Sequence, residues 1–221
     1  MTDSGMDLLL WAKGPGFKIA VALFLLGMAL RLFEILTLGR KPDISPAEED
    51  PMAAGIRTIF SRSLPGPHLM QRRPIVVVGG YIFHIGFFVT LLFFIPHIQL
   101  FKQGFGISWP GLPSPLIEAV AVTSLLAMAA VLICRIAQPV RRFLSGFEDY
   151  LTWALTFLPL LTGYMAVNKL LLPYTLLLAL HILSVELLMA VAPFTKLTHM
   201  LTFAIARYYN GAINGRKGAP S

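Results

Sequence analysis

The sequence predicts an all-α integral membrane protein of five transmembrane helices, and three observations predict it. Of its 221 residues, 56% are apolar and 13% charged, where water-soluble domains carry about 45–50% and about 25%. Mean hydropathy is +0.72. Five stretches are long and apolar enough to cross a bilayer core, which takes about 20 residues of helix: Phe17 to Leu38, Ile75 to Ile95, Leu116 to Ala137, Tyr150 to Val167 and Thr175 to Pro193. They are expected to form one membrane domain over residues 1–221, with a loop at 39–74 and a tail at 194–221.

Helix one exceeds the 7–15 residues of a secretory h-region. No small-x-small cleavage site follows it, and Arg31 and Glu34 stand near its end, so it is expected to be retained. The loop after it carries Asp43, Glu48, Glu49 and Asp50, several prolines, and Ile56, Ile59 and Phe60 between basic residues. It reads either as a docking surface for a soluble partner or as a solvated connector. Helix two contains Gly79, Gly80, His84 and Gly86 and runs into Pro96-His97. The segment from Gly104 to Pro115, rich in Gly and Pro and holding Trp109, is expected to be an ordered interfacial turn. Helix three begins near Glu118, and a basic loop with Arg135, Arg141 and Arg142 leads to helix four. Helix five carries His181 and Glu186 and points toward His199.

Orientation follows from Lys and Arg. Thirteen lie on the side of the 39–74 loop, the third loop and the tail, against four on the other side (Lys13, Lys18, Lys102 and Lys169). Basic residues are retained in the cytoplasm. The N-terminus is therefore expected outside and the C-terminus inside, in a multi-pass protein of the cell inner (plasma) membrane. The net charge of +7 has this topological origin; nucleic acid is not an expected partner, because the basic residues are spread between apolar runs rather than clustered on a soluble face. One cysteine forbids an internal disulfide or a cysteine-held iron-sulfur cluster, and no Cys-x-x-Cys-His run attaches a c-type haem. A redox centre in this chain must use histidine.

Ionisable side chains within a bilayer are costly and usually face a site or a partner. His84 and His97 are assigned to helix two, His181 and His199 to helix five. Antiparallel helices bring His84 to the depth of His199, near the inner side, and His97 to that of His181, near the outer side. Each pair would give two axial imidazoles to one haem iron. On a continuous helix five, 18 residues make five full turns and about 27 Å, which keeps His181 and His199 on one face. On helix two, 13 residues give about 20 Å but turn the second ring roughly 140° off the first. Pro96 is the residue that can re-aim it. Gly79, Gly80 and Gly86 serve either close approach of a macrocycle or plain helix packing. His68 has no partner pattern and is expected to be solvated.

The run from His181 to His199, with Pro193-Phe194-Thr195-Lys196-Leu197 before the second histidine, resembles the gamma subunit of respiratory nitrate reductase, a di-haem b membrane cytochrome. The likeness extends through Phe24-Leu-Leu-Gly27-Met-Ala-Leu-Arg31, through Phe83-His84-Ile85-Gly86, and through Pro139, Gly146 and Asp149. That family spaces its helix-two histidines ten apart, where this chain has Phe94, so His97 takes the outer position instead. With Gly106-Ile-Ser-Trp109-Pro-Gly-Leu-Pro113, this pattern looks more like the membrane cytochrome of sulfite-reductase-associated complexes.

The resemblance implies two haem b groups, on His84 with His199 and on His97 with His181, and exchange with menaquinone or ubiquinone near the outer one. It also implies a cytoplasmic iron-sulfur partner like heterodisulfide reductase or the nitrate-reductase beta subunit. Where the nitrate enzyme's family uses a lysine at the start of helix three, this chain offers Glu118 for the quinol proton and Lys102 for the quinone oxygen. A carboxylate at a helix start is also an ordinary terminal charge. Arg31 reads as a haem-propionate ligand or as the partner of Glu34, three residues on. Glu186 is a candidate proton relay or quinone contact. The competing class is a proton or ion transporter without haem, which an optical spectrum separates from a cytochrome.

Overall fold

The structure, a computed structural model, describes residues 3–39 and 46–219; Arg40, Lys41 and Asp43 of the loop expected at 39–74 lie outside them. All regular elements among the described residues are helical. Five helices are long and apolar enough to cross a membrane: Gly5–Thr37, Pro74–Phe93, Ser114–Ala137, Phe147–Asn168 and Tyr174–Phe194. These are the five stretches expected from the sequence, with three differences that matter for the site.

The first is that helix one starts a dozen residues early. α1 (Asp3–Trp11) runs through a π-helical turn, Ala12–Gly16, into α2 (Phe17–Thr37) without a break. Pro15 lies inside that turn. Its nitrogen has no hydrogen to offer the carbonyl of Trp11 four residues back, and the wider π register carries the helix past that gap.

The second is a break in helix two. α5 (Pro74–Phe93) stops one residue before Phe94, whose backbone is extended, and a separate helix α6 (Ile95–Phe105) starts with Pro96 in its first turn. His97 therefore lies on α6, not on helix two as assigned.

The third corrects helix five. α10 (Tyr174–Val191) gives way to two 3₁₀ turns, Ala192–Phe194 and Lys196–Thr198, and His199 is the first residue of another helix, α11 (His199–Arg216). The five-turn, one-face relation of His181 and His199 does not hold, because Pro193 interrupts the continuous helix it requires.

The described residues cluster into two compact units, one within Met1–Ala20 with Arg73–Leu188 and one within Val21–Arg72 with Met189–Ser221. In the first, α5 packs along α7 (Ser114–Ala137) at close range. A Cβ at Gly86 would run into Ser124 Oγ, and one at Gly79 would sit 2.9 Å from Val131 Cγ2. α7 is joined to α9 (Phe147–Asn168) through the short α8 (Pro139–Phe143). At that corner Asp149 accepts from the Gly146 amide at 3.0 Å and pairs with Arg135 at 3.4 Å, which gives Gly146 and Asp149 of the family-like pattern a local structural job. Trp153 of α9 donates to the carbonyl of Met128 on α7 at 3.0 Å.

In the second unit the expected loop and tail are helices packed on each other. α3 (Pro51–Ser61) begins at Asp50, whose carboxylate accepts from the Met52 and Ala53 amides and so caps it. It crosses α11 where glycines allow contact: Gly211 meets Thr58 and the Ala54 carbonyl, Gly215 meets the Ala54 methyl, and Gly55 faces Tyr208. Arg207 closes the contact by donating to Ser63 Oγ at 2.6 Å. A second short helix, α4 (Pro67–Arg72), holds His68 on an exposed face.

Candidate functional site

The break at Pro96 builds the site. In an unbroken helix the carbonyl of Leu92 would accept from residue 96, and proline has no hydrogen to give. The indole Nε1 of Trp109 donates to that carbonyl instead, at 2.6 Å. The neighbouring Phe93 carbonyl takes the amide of Leu112 at 2.9 Å. Gly111 lets this strap lie close: a Cβ there would be 2.8 Å from Ile95 Cγ1 and 3.2 Å from the Phe93 carbonyl. The segment expected to be an ordered turn thus holds the end of α5 and the start of α6, with Phe101 against Trp109 at 5.4 Å.

Held this way, His97 turns back over the end of α5. Its Nδ1 donates to the Thr90 carbonyl at 2.9 Å, and its ring lies 6.1 Å from that of His181, centroid to centroid, with the planes within 18° of parallel. His181 is tethered in the same manner, Nδ1 donating to the Pro159 carbonyl of α9 at 3.1 Å. A carbonyl only accepts, so in both rings Nδ1 carries the hydrogen and the lone pair belongs to Nε2. A backbone carbonyl on Nδ1 fixes both the tautomer and the orientation of each ring. Burial holds His97 below the ordinary imidazole range, against the pull of its backbone bonds.

Helix α9 makes room for His181. A Cβ at Gly163 would stand 3.1 Å from its Cε1 and 3.2 Å from its Nδ1. Beside it, Thr162 Oγ1 lies 3.4 Å from His181 Nδ1 and 3.1 Å from Ser184 Oγ. None of these three residues stood out in the sequence, since a single Gly or Thr in an apolar helix carries no mark of what it faces.

Two imidazoles on opposite sides of one first-row metal ion have centroids roughly 6 Å apart, given metal–nitrogen bonds of about 2 Å. The 6.1 Å separation is close to that distance, with the two rings stacked. Among the described residues no group of three or more His, Cys, Asp or Glu side chains is placed to hold a metal ion.

The other predicted residues fall as follows. His84 is exposed on α5, its Nδ1 donating to the Gly80 carbonyl at 2.7 Å and its ring edge-to-face with Phe83. His199 is exposed at the start of α11, its Nδ1 donating to the Lys196 carbonyl at 2.9 Å. They belong to different units, so each is described in its own. Gly86 is buried against Ser124 of α7. Arg31 pairs with Glu34 at 2.8 Å and donates through Nε to the Pro193 carbonyl at 2.9 Å. One turn before it, Gly27 admits the Pro193 ring, which a Cβ would meet at 2.6 Å. Gly27 and Arg31 together receive the bend that leads to His199.

Glu118 is half-buried one turn into α7, and Lys102 is exposed in the last turn of α6. Glu186 is 6% exposed, and its Oε1 has no hydrogen-bond partner among the described residues.

No family model matches the chain, and no solved structure does. A curated relative from Nitratidesulfovibrio vulgaris (strain Hildenborough), described only as "Protein", is 31% identical over 145 residues. The match takes in 64% of this chain and 62% of that relative, so the chain spans less than two thirds of the relative's length.

Proposed function

We propose that the chain is the membrane-anchoring di-haem b subunit of a respiratory complex, passing electrons between the quinone pool and a cytoplasmic iron-sulfur partner of sulfur metabolism. The observation that carries this reading is the His97 and His181 pair. Two imidazoles from separate helices lie 6.1 Å apart, each with Nδ1 tied to a backbone carbonyl. A haem b held between them would supply a one-electron iron couple. His97 and His181 would bind it through Nε2, the carbonyls of Thr90 and Pro159 would fix the ring orientations, and Gly163 would leave His181 its space. The second haem rests on the sequence reading, through His84 and His199, with Arg31 assigned to a propionate.

The five long helices expose large apolar side chains, among them Leu26, Leu36, Ile85, Leu126 and Ile133. Such surface is costly in water and suits lipid. With thirteen basic residues on one side, the chain takes the orientation with the C-terminus in the cytoplasm, in the inner membrane. α3 and α11 then lie on the cytoplasmic side, where Met52, Ile56 and Phe60 form an exposed apolar stripe at helical spacing. This stripe, flanked by Arg57 and Arg62, is the face offered to the iron-sulfur partner. Menaquinone or ubiquinone would react on the opposite side, with Glu118 taking a proton and Lys102 supporting the quinone oxygen.

An optical spectrum of the purified protein tests the reading. Sharp reduced alpha and Soret bands of paired-imidazole haem b, appearing on addition of a quinol, are the expected result. A protein purified from its own membrane with no haem would return the chain to the transporter class. Copurification with a nitrate-reducing rather than a sulfur-metabolising partner would make it a nitrate reductase gamma subunit instead.

A further inference from the structure

Glu186 lies on α10, five residues past His181, which places it about 7.5 Å farther along the axis and about 140° around it. It faces away from His97 and toward helix one. There the π turn Ala12–Gly16 presents Gly16, whose missing side chain makes the space: a Cβ would be 2.9 Å from Glu186 Oε2 and 2.5 Å from the Trp11 ring. Glu186 is buried, and Oε1 has no partner among the described residues. Single π turns inside α-helices are frequent at functional sites. The other ionisable groups on helix one near this turn are Asp7, Lys13 and Lys18, all exposed, and the ionisable neighbour on its own helix is His181.

A buried carboxylate with an unpartnered oxygen needs either a compensating positive charge or a proton. A bis-imidazole ferric haem carries one net positive charge at its core, and reduction removes it. We propose that Glu186, lodged against the π turn of helix one, is a proton-binding site whose occupancy follows the redox state of the centre held by His97 and His181. This rests on the function proposed above and extends it to the chain's own charge compensation. One electron, from hydroquinone or an electrode, taken up by a haem iron(III) held there would be matched by one proton from the aqueous phase, which converts the Glu186 carboxylate to the carboxylic acid. Reoxidation returns both.

The test is redox-poised infrared difference spectroscopy on the purified protein, in water and in deuterium oxide, with optical spectra taken on the same samples. In the wild type a carboxylic-acid carbonyl band is expected to appear on reduction and to shift in deuterium oxide. Glu186→Gln is expected to lose that band while both haem spectra remain. Gly16→Ala is expected to shift it, since the added methyl presses on Oε2; this variant serves if the glutamine protein does not fold. A band that persists in Glu186→Gln, or haem reduction with no carboxylic-acid band at all, overturns the proposal and leaves the cytochrome reading standing. Absence of haem in the optical spectrum overturns both.

Discussion

Two corners of this chain are built with the same device and come out differently. At Pro96 and at Pro193 a long apolar helix is interrupted, and a histidine follows on a new helical segment: His97 directly, His199 six residues later. At the first corner Trp109 and Leu112 take up the carbonyls of Leu92 and Phe93, and the strap they form turns His97 inward to meet His181. At the second, Arg31 donates to the Pro193 carbonyl and Gly27 receives the proline ring, while His199 stays exposed. A proline determines where a helix ends; the groups that satisfy the freed backbone determine where the next side chain goes.

The comparison is broken most severely at Gly163. Replacing it with valine drives carbon atoms into the His181 ring, and Gly163→Val is expected to abolish the haem absorbance that depends on His97 and His181 while sparing the other. Gly27→Val is the matching change at the second corner. It displaces Pro193 and is expected to perturb the absorbance that depends on His199, with the His97 signal unchanged. Optical redox titration of the two variants side by side reads both outcomes.

A smaller effect is expected from Trp109→Phe, which keeps the aromatic contact with Phe101 and leaves the Leu92 carbonyl without its donor. Loss of one such hydrogen bond at a half-buried site costs about 1 kcal/mol. A thermal midpoint lowered accordingly, with haem retained, is the result that fits. The smallest is expected from Arg57→Ala in the second unit. The guanidinium hydrogen-bonded to Glu49 holds that carboxyl below its usual range. A carboxyl depressed in the folded state contributes stability above its unfolded pKa and loses it as pH falls through the folded one. Both groups are solvent-exposed and screened by salt. The variant should therefore match the wild type in acid and fall only slightly below it near neutrality, in thermal melts at low ionic strength.

The five apolar helices were legible because about 20 consecutive apolar residues have few alternatives. The turn of His97 was legible in part: Pro96 announced a break, but its direction depends on Trp109 and Leu112, more than a dozen residues away. The relation of His181 to His199 was misread, because 18 residues on an ideal helix give an attractive answer that Pro193 denies. The 39–74 loop was read as a docking surface or a solvated connector, and 194–221 as a tail, although Gly211 and Gly215 face Ala54 and Thr58, four apart on each helix. Small residues at that spacing mark close helix contact only once their partner is known. Gly163 and Gly16 were invisible for the same reason: what a missing side chain admits comes from another helix.

The central claim is that His97 and His181 hold one and the same haem. Optical and EPR spectra of His97→Ala and His181→Ala, each compared with the wild type, test it most directly. The account predicts that both variants lose the same low-spin haem, about half of the total, and retain the other. Loss of a different haem in each variant, or of none in either, would contradict it.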